Sequence, residues 1–311
     1  MPEYSPKENV LMKKLALFIV FAVTFMLRAA VGLPEAFDWS GDNVKTLCPG
    51  IQYVKLEYNS PRIMKVAAVR IDLKTPGLRF KVTGRAENWG KPMPDYSKPE
   101  YAVRTLRVTT RKFMEQSVKD GDNMVVAVNG APWAPWKMPW NHRYADKMRL
   151  LVSDGVLVSP PLKGDRPSFV VDKSGKCSFA TIREGDDISH IRQAISGFVT
   201  ILKDGKLIIA DEVNKLAPRT GYGLDSECRY LYLFVVDGRQ KGYSMGCSVY
   251  ETGQFLKYFG AAEAVNMDGG GSTTLLLRDR DEIIKLNHQR GNAERTVGAS
   301  MGIIIDKQSA K

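Results

Sequence analysis

Short runs rich in Val, Ile and Leu, each closed by Gly, Pro or an Asp-Gly pair, recur along most of this chain and limit its fold more than any other feature. Runs of that length suit strands, because β-branched and aromatic side chains pack well on a pleated surface. Asp-Gly pairs close them, since Gly takes positive φ without strain and Asp can bond its own backbone. Strands are predicted at 65–73, 78–83, 124–128, 150–153, 168–171, 198–202, 230–236, 264–267, 273–277 and 298–305, with turns at Asp120-Gly121, Asp154-Gly155, Asp204-Gly205 and Asp237-Gly238. Two helices are predicted. One covers 109–119 and stops at Asp120-Gly121; the other starts at Ser248, which forms an S-x-x-E capping box with Glu251, buries Phe255, Leu256 and Phe259, and ends at Gly260. No linker, repeat or charge block interrupts the series. The expectation is one α+β domain, a strand-rich mixed sheet with a few packed helices.

Composition bounds the partners. The chain has 311 residues, 45 basic against 34 acidic side chains and a formal charge of +11, which calls for a polyanionic partner: nucleic acid, a membrane surface or a phosphorylated sugar. The basic residues do not gather in a nucleic-acid motif, so nucleic acid ranks last. Lys13 and Lys14 precede an uncharged apolar run from Leu15 to Leu27, followed by the small residues Ala29, Ala30 and Gly32. These are the three parts of a secretory signal peptide, and the run falls short of the ~20 residues that span a bilayer. Residues 1–32 are therefore predicted to be a signal peptide and 33–311 a single domain in a secreted or periplasmic protein, which meets a membrane only during export. Cys48, Cys177, Cys228 and Cys247 form no CxxC pair and have no His at metal-ligand spacing, which leaves zinc unsupported. Two disulfides, with Cys228–Cys247 closing the shortest loop, and four free thiols both fit an exported chain.

The chemistry concentrates in the last third. The apolar run Ala264-Val265-Asn266-Met267 leads directly into Asp268-Gly269-Gly270-Gly271-Ser272-Thr273-Thr274. Three glycines in series expose backbone N–H groups with no Cβ in the way, which suits an anion. No Lys follows at P-loop spacing, so a nucleoside triphosphate is not implied. By residues alone, a tight turn with Asp268 folded back on it fits equally well.

The segment Asn266-Met267-Asp268-Gly269-Gly270-Gly271-Ser272-Thr273 resembles the signature of the phosphodiester glycosidase family. Further pieces resemble that family in order: Val128-Asn129-Gly130, Ile195-Ser196-Gly197, Asp204-Gly205-Lys206, Pro218-Arg219-Thr220-Gly221-Tyr222-Gly223, Val236-Asp237-Gly238-Arg239, Glu251, then Asn292, Glu294 and Arg295. The likeness is strongest over 100–306. It departs after Asn129-Gly130, where the family usually continues with Gly and an aromatic and this chain has Ala131-Pro132-Trp133. The resemblance implies hydrolysis of a sugar 1-phosphodiester, of the N-acetylglucosamine-1-phosphodiester kind, at the anomeric carbon.

Such a reaction needs a carboxylate to attack that carbon or activate water, and cations to hold the phosphate. Asp268 is the first candidate for the catalytic role, with Glu251 and Asp237 behind it; a capping box and an Asp-Gly turn explain the latter two equally well. Arg219 and Arg295 are candidates for gripping phosphate, because a planar guanidinium engages two oxygens at once. Asn129, Gly130, Thr220, Gly269, Gly270, Gly271, Ser272, Thr273 and Glu294 complete the expected binding set. The loop from Pro132 to Trp140 carries three indoles, and Trp133 is the candidate for a sugar platform, though a hydrophobic plug is the commoner use of such a loop. No cofactor is called for, except that Asp268 and a bound phosphate could together hold a divalent cation. Two other readings remain: a phosphodiesterase that cuts P–O, and a non-catalytic protein that binds anionic glycans.

Overall fold

The computed structural model describes residues 31–94, 96, 100–136, 142–164, 166–210 and 215–306. The predicted leader falls almost wholly outside these, as does Trp140. No helix among the described residues is long and apolar enough to cross a membrane.

Three large sheets, with the two-stranded pair Thr105–Leu106 and Tyr144–Ala145 beside them, enclose the main core. The largest has eight strands in the spatial order Lys45–Cys48, Ile51–Tyr58, Met64–Asp72, Tyr230–Val236, Arg219–Leu224, Glu263–Asn266, Val199–Lys203 and Lys206–Leu207. A five-stranded sheet runs Cys177–Thr181, Pro167–Asp172, Ile191–Ser196, Leu151–Ser153, Val156–Ser159. Another runs Glu282–Lys285, Leu275–Asp279, Met124–Asn129, Ser300–Ile305, Leu78–Val82. Strand alternation places the layers: Leu231, Leu233 and Val235 face the core shared by the sheets, while Tyr232, Phe234 and Val236 of the same strand face the Val249–Phe259 helix through Phe255, Leu256 and Phe259. The Thr110–Lys119 helix covers the outside of the second five-stranded sheet, with Met114 against Met124, Ala127, Leu276 and Ile304.

Both helices start and stop where their end chemistry dictates. The Thr109 side chain accepts the Lys112 N–H at 3.0 Å. Ser248 and Glu251 form a reciprocal capping box, and Gly260 closes that helix in the left-handed region at φ 114°. The expected mixed sheet is corrected: every strand pairing among the described residues is antiparallel. Hairpins such as Ile51–Tyr58 with Met64–Asp72 alternate with long-range antiparallel pairs such as Met64–Asp72 with Tyr230–Val236, and neither described helix serves as a parallel crossover. The molecule is accordingly mostly β, a single strand-rich domain with two described helices. The four cysteines are free thiols, with Cys247 buried among the helix contacts and the other three around the shared core.

Candidate active site

Asp268 stands just past the end of the Glu263–Asn266 strand, inside the eight-stranded sheet, where its backbone N–H donates to Gly130 O at 2.9 Å. The chain then turns through Gly269 and a single 3-10 turn, Gly270–Ser272, with Gly270 at φ 61°. Two of the three glycine amides are already committed: Gly269 N donates to Asp268 Oδ1 at 3.0 Å and Gly270 N to Pro218 O at 2.8 Å. The loop is thus a pinned turn, and the expectation of three free donors in series is corrected.

The Asp268 carboxyl is 6% exposed, and its Oδ2 has no hydrogen-bond partner. Burial pushes its pKa up to about 7, against the opposing pull of Ser272, the Gly269 N–H and the Arg295 charge. Ser272 Oγ and Thr273 Oγ1 are also buried without a partner in good geometry. The Ser272 hydroxyl is near enough to Asp268 to oppose the rise in its pKa, so the turn gathers three buried oxygens around one carboxyl.

Beside the turn opens a cavity of about 310 Å³, walled by Gly270, Gly271 and Thr273 from the loop and by Arg239, His288, Gln289, Arg290 and Arg295 opposite. Arg295 presses on the glycine: a Cβ on Gly271 would lie 2.5 Å from the guanidinium carbon and from Nη2. Arg239, at φ 60°, reaches over Gly270, with Nη1 3.3 Å from where a Cβ would stand. Glycine is required here because guanidinium groups occupy the side-chain space. Gly271→Ala is therefore expected to push Arg295 aside with little cost to the fold, because the clashing atoms end a flexible side chain. Activity should fall about tenfold to a hundredfold with Tm nearly unchanged; steady-state kinetics and a thermal melt on one preparation check both halves.

The other predicted site residues divide. Asn129 is 0% exposed: Nδ2 donates to Asp268 O at 2.7 Å, and Oδ1 accepts from Thr220 Oγ1 at 2.9 Å and Thr274 N at 3.0 Å. The expectation that Asn129 and Thr220 touch substrate is corrected, because both are buried beneath the turn and tie it to its neighbours. Gly130 serves the same close approach, since a Cβ there would overlap Ile195. Glu251 spends its carboxylate on the Ser248 N–H at 2.7 Å and on Arg62, so it holds the helix start. Arg219 donates to the carbonyls of Cys247 and Lys215, and neither it nor Asp268 is among the residues that wall the cavity. Glu294 faces Arg111 at 2.9 Å and Lys285 at 3.8 Å.

Asp237 belongs to an adjoining cavity of about 410 Å³, walled by Lys55, Lys65, Lys285 and Tyr243 among others. Its Oδ1 accepts the His288 N–H at 2.7 Å and its Oδ2 the Tyr243 hydroxyl at 3.2 Å, while burial raises its pKa. Asn287 and His288 line both cavities. Trp133 is corrected as a sugar platform: at 2% exposure it is a buried plug, and the exposed indole is Trp136 at 41%. Sequence reasoning missed His288, Gln289 and Arg290 as cavity residues and passed over Arg239 although it quoted the Asp-Gly-Arg segment. That segment was the available signal for Arg239; the run from His288 to Arg290 carries none. Among the described residues no group of three or more His, Cys, Asp or Glu side chains could hold a metal ion.

Known proteins share this fold. A structure of the zebrafish N-acetylglucosamine-1-phosphodiester alpha-N-acetylglucosaminidase catalytic domain, auto-inhibited by its pro-peptide, shares the fold at TM-score 0.59 and 19% identity, over 90% of this chain and 87% of that one. A hypothetical protein from Synechocystis matches at TM-score 0.53 and 13% identity, over 83% of this chain and 62% of that one. The Mus musculus N-acetylglucosamine-1-phosphodiester alpha-N-acetylglucosaminidase is 30% identical over 147 residues, 41% of this chain, and the match spans only 28% of the mouse protein. The family model for phosphodiester glycosidases matches residues 122–304, which include the pinned turn, the residues that anchor it and the arginines over it; the chain belongs to the phosphodiester glycosidase family.

Proposed function

We propose that this protein hydrolyses the anomeric C–O bond of a sugar 1-phosphodiester, of the N-acetylglucosamine-1-phosphodiester kind, releasing the free sugar and a phosphomonoester. One observation carries the reading: a buried carboxyl with a pKa of about 7 lies under a glycine turn over which arginines line an open cavity. In this reaction Asp268 takes a proton from water as the water oxygen bonds to C1. The C1–O bond breaks, and its electron pair leaves with the phosphate. Arg295, Arg239 and Arg290 stabilise the charge that gathers on the phosphate oxygens, so the leaving group needs little protonation. The family membership and the mouse relative support the substrate class.

A multiply phosphorylated glycan suits the basic chain and the lysines of the adjoining cavity, which would take the aglycone. Export through residues 1–32 is part of the same proposal. The test is hydrolysis of an N-acetylglucosamine 1-phosphodiester in heavy-oxygen water. Label is expected on the sugar C1 hydroxyl; label on the phosphate would establish P–O cleavage instead.

A further inference from the structure

The ends of five neighbouring strands of the eight-stranded sheet form a row, and the reaction above uses only part of it. Across the sheet the row reads Lys65, Asp237, Pro218, Asp268 and Phe198, each at or just beyond the same end of its strand. The phosphate cavity and its neighbour take in Lys65, Asp237 and Pro218, on one side of Asp268. Phe198, on the other side, lines neither of them. Its N–H donates to Asn266 O at 2.8 Å, two residues before Asp268.

Two arginines close the row there. In the neighbouring sheet Pro167–Asp172 and Leu151–Ser153 flank Ile191–Ser196, so Arg166 and Arg149, which precede those flanking strands, bracket the Gly197-Phe198 corner. Arg166 Nη1 donates to Phe198 O at 3.0 Å; Arg149 Nη1 donates to Gly197 O at 2.7 Å and reaches Phe198 O at 3.5 Å. The Arg149 guanidinium also lies over the Phe198 ring at 5.4 Å. Two like charges thus meet at one carbonyl, and no acidic side chain among the described residues pairs with either. Burial, with the Arg166 charge beside it, pulls the Arg149 pKa down to about 10. Arg149 also holds a φ of 63°, in the left-handed region that strains a side-chain-bearing residue. An anion between the two guanidinium groups would relieve their repulsion and take up N–H donors that the carbonyls leave over.

We propose that Arg149 and Arg166 form a clamp for an oxyanion substituent, a phosphate ester or a carboxylate, on the sugar whose C1 faces Asp268. The order of the row carries the inference. With the leaving phosphate and the aglycone on the Pro218 and Asp237 side of Asp268, the sugar ring extends to the other side. A substituent on its far carbon comes within reach of the clamp, on the order of 10 Å or two strand spacings along the row. The inference rests on the proposed function for the place of C1.

The probes are N-acetylglucosamine, its 6-phosphate and its 6-carboxylate counterpart, titrated calorimetrically into the whole protein. Binding needs no turnover, so a protein that binds these sugars without hydrolysing diesters fails the proposed function and not the clamp. Wild type is expected to prefer a charged sugar over the neutral one by about tenfold, and the anion preferred names the substituent. Arg166→Gln should cut that preference by about fivefold to tenfold, and Arg166→Lys, which keeps the charge, should recover part of it. Arg149→Gly removes the other guanidinium and takes the φ of 63° without strain, so it should also lose the preference while a thermal melt shows it folded. Arg290→Gln separates the two anion sites. A preference lost with Arg290 and kept in Arg166→Gln puts the anion in the phosphate cavity and overturns the proposal. Equal binding of neutral and charged sugars by wild type, or a preference intact in both Arg166→Gln and Arg149→Gly, overturns it as well.

Discussion

Asp268→Asn is expected to abolish hydrolysis, with a loss of about a thousandfold or more in kcat/KM, while making the folded protein more stable at pH 8. The two effects share a cause. In the fold the Asp268 carboxyl titrates at about 7 because burial disfavours its charge; in the unfolded chain it returns to about 3.9. An acid whose folded pKa is raised weakens the fold as pH climbs from the unfolded value to the folded one, and the whole penalty persists above pH 7. That penalty is on the order of 2–4 kcal/mol at pH 8 and falls to about 0.5 kcal/mol near pH 4. Asn never ionises, and its Oδ1 can still accept the Gly269 N–H. Chemical denaturation at pH 3.5 and pH 8 should therefore show near-equal stability at the lower pH and a more stable variant at the higher one. For the wild type, kcat/KM should rise through about pH 7, since Asp268 acts in its ionised form. Full activity in the variant would remove Asp268 from the centre of the reaction.

The largest loss of stability is expected at a residue that touches no substrate. Asn129→Ala removes three hydrogen bonds at a fully buried position and strands the Asp268 carbonyl, the Thr220 hydroxyl and the Thr274 N–H. Leaving such groups unpaired costs about 1–3 kcal/mol each before relaxation, so a net loss of about 3–5 kcal/mol is expected in urea unfolding. Asn129→Asp discriminates further. Its shape is the same and it can still accept from Thr220 and Thr274, but it cannot donate to the Asp268 carbonyl and it adds a charge near a buried carboxyl. Activity should fall in this variant even where the fold survives. If both variants melted like wild type, Asn129 would not be the tie that holds the turn.

Much of the molecule could be read before any coordinates. Both helices were legible because their ends are local: Thr109, Ser248 with Glu251, and Gly260 act within a turn of their own position. Predicted strands such as 230–236 follow from apolar runs whose two faces are both buried. The Arg219–Leu224 strand went unseen because Gly221 and Gly223 lower its apparent propensity. Their reason is tertiary: a Cβ would meet Leu256 Cδ1 at 2.7 Å from Gly221 and Ala261 Cβ at 2.6 Å from Gly223, so the helix and the residue just after its cap sit on the strand only over bare backbone.

The signature from Asn266 to Thr273 named the reaction class, and by itself the sequence determined that a carboxylate, a glycine turn and a strand end come together, because these are neighbours in the chain. Which other groups meet them was decided by the antiparallel sheets. Asn129 reaches Asp268 across 139 residues of chain. Arg219, close to the turn in space, bonds backbone carbonyls, while Arg239 arrives at the cavity from one loop and Arg290 and Arg295 from another. Burial made the same kind of choice between Trp133 and Trp136, three residues apart and alike in chemistry. Residue type and spacing specify local chemistry; strand register and layer packing, which bring distant segments into contact, specify which side chains share a cavity.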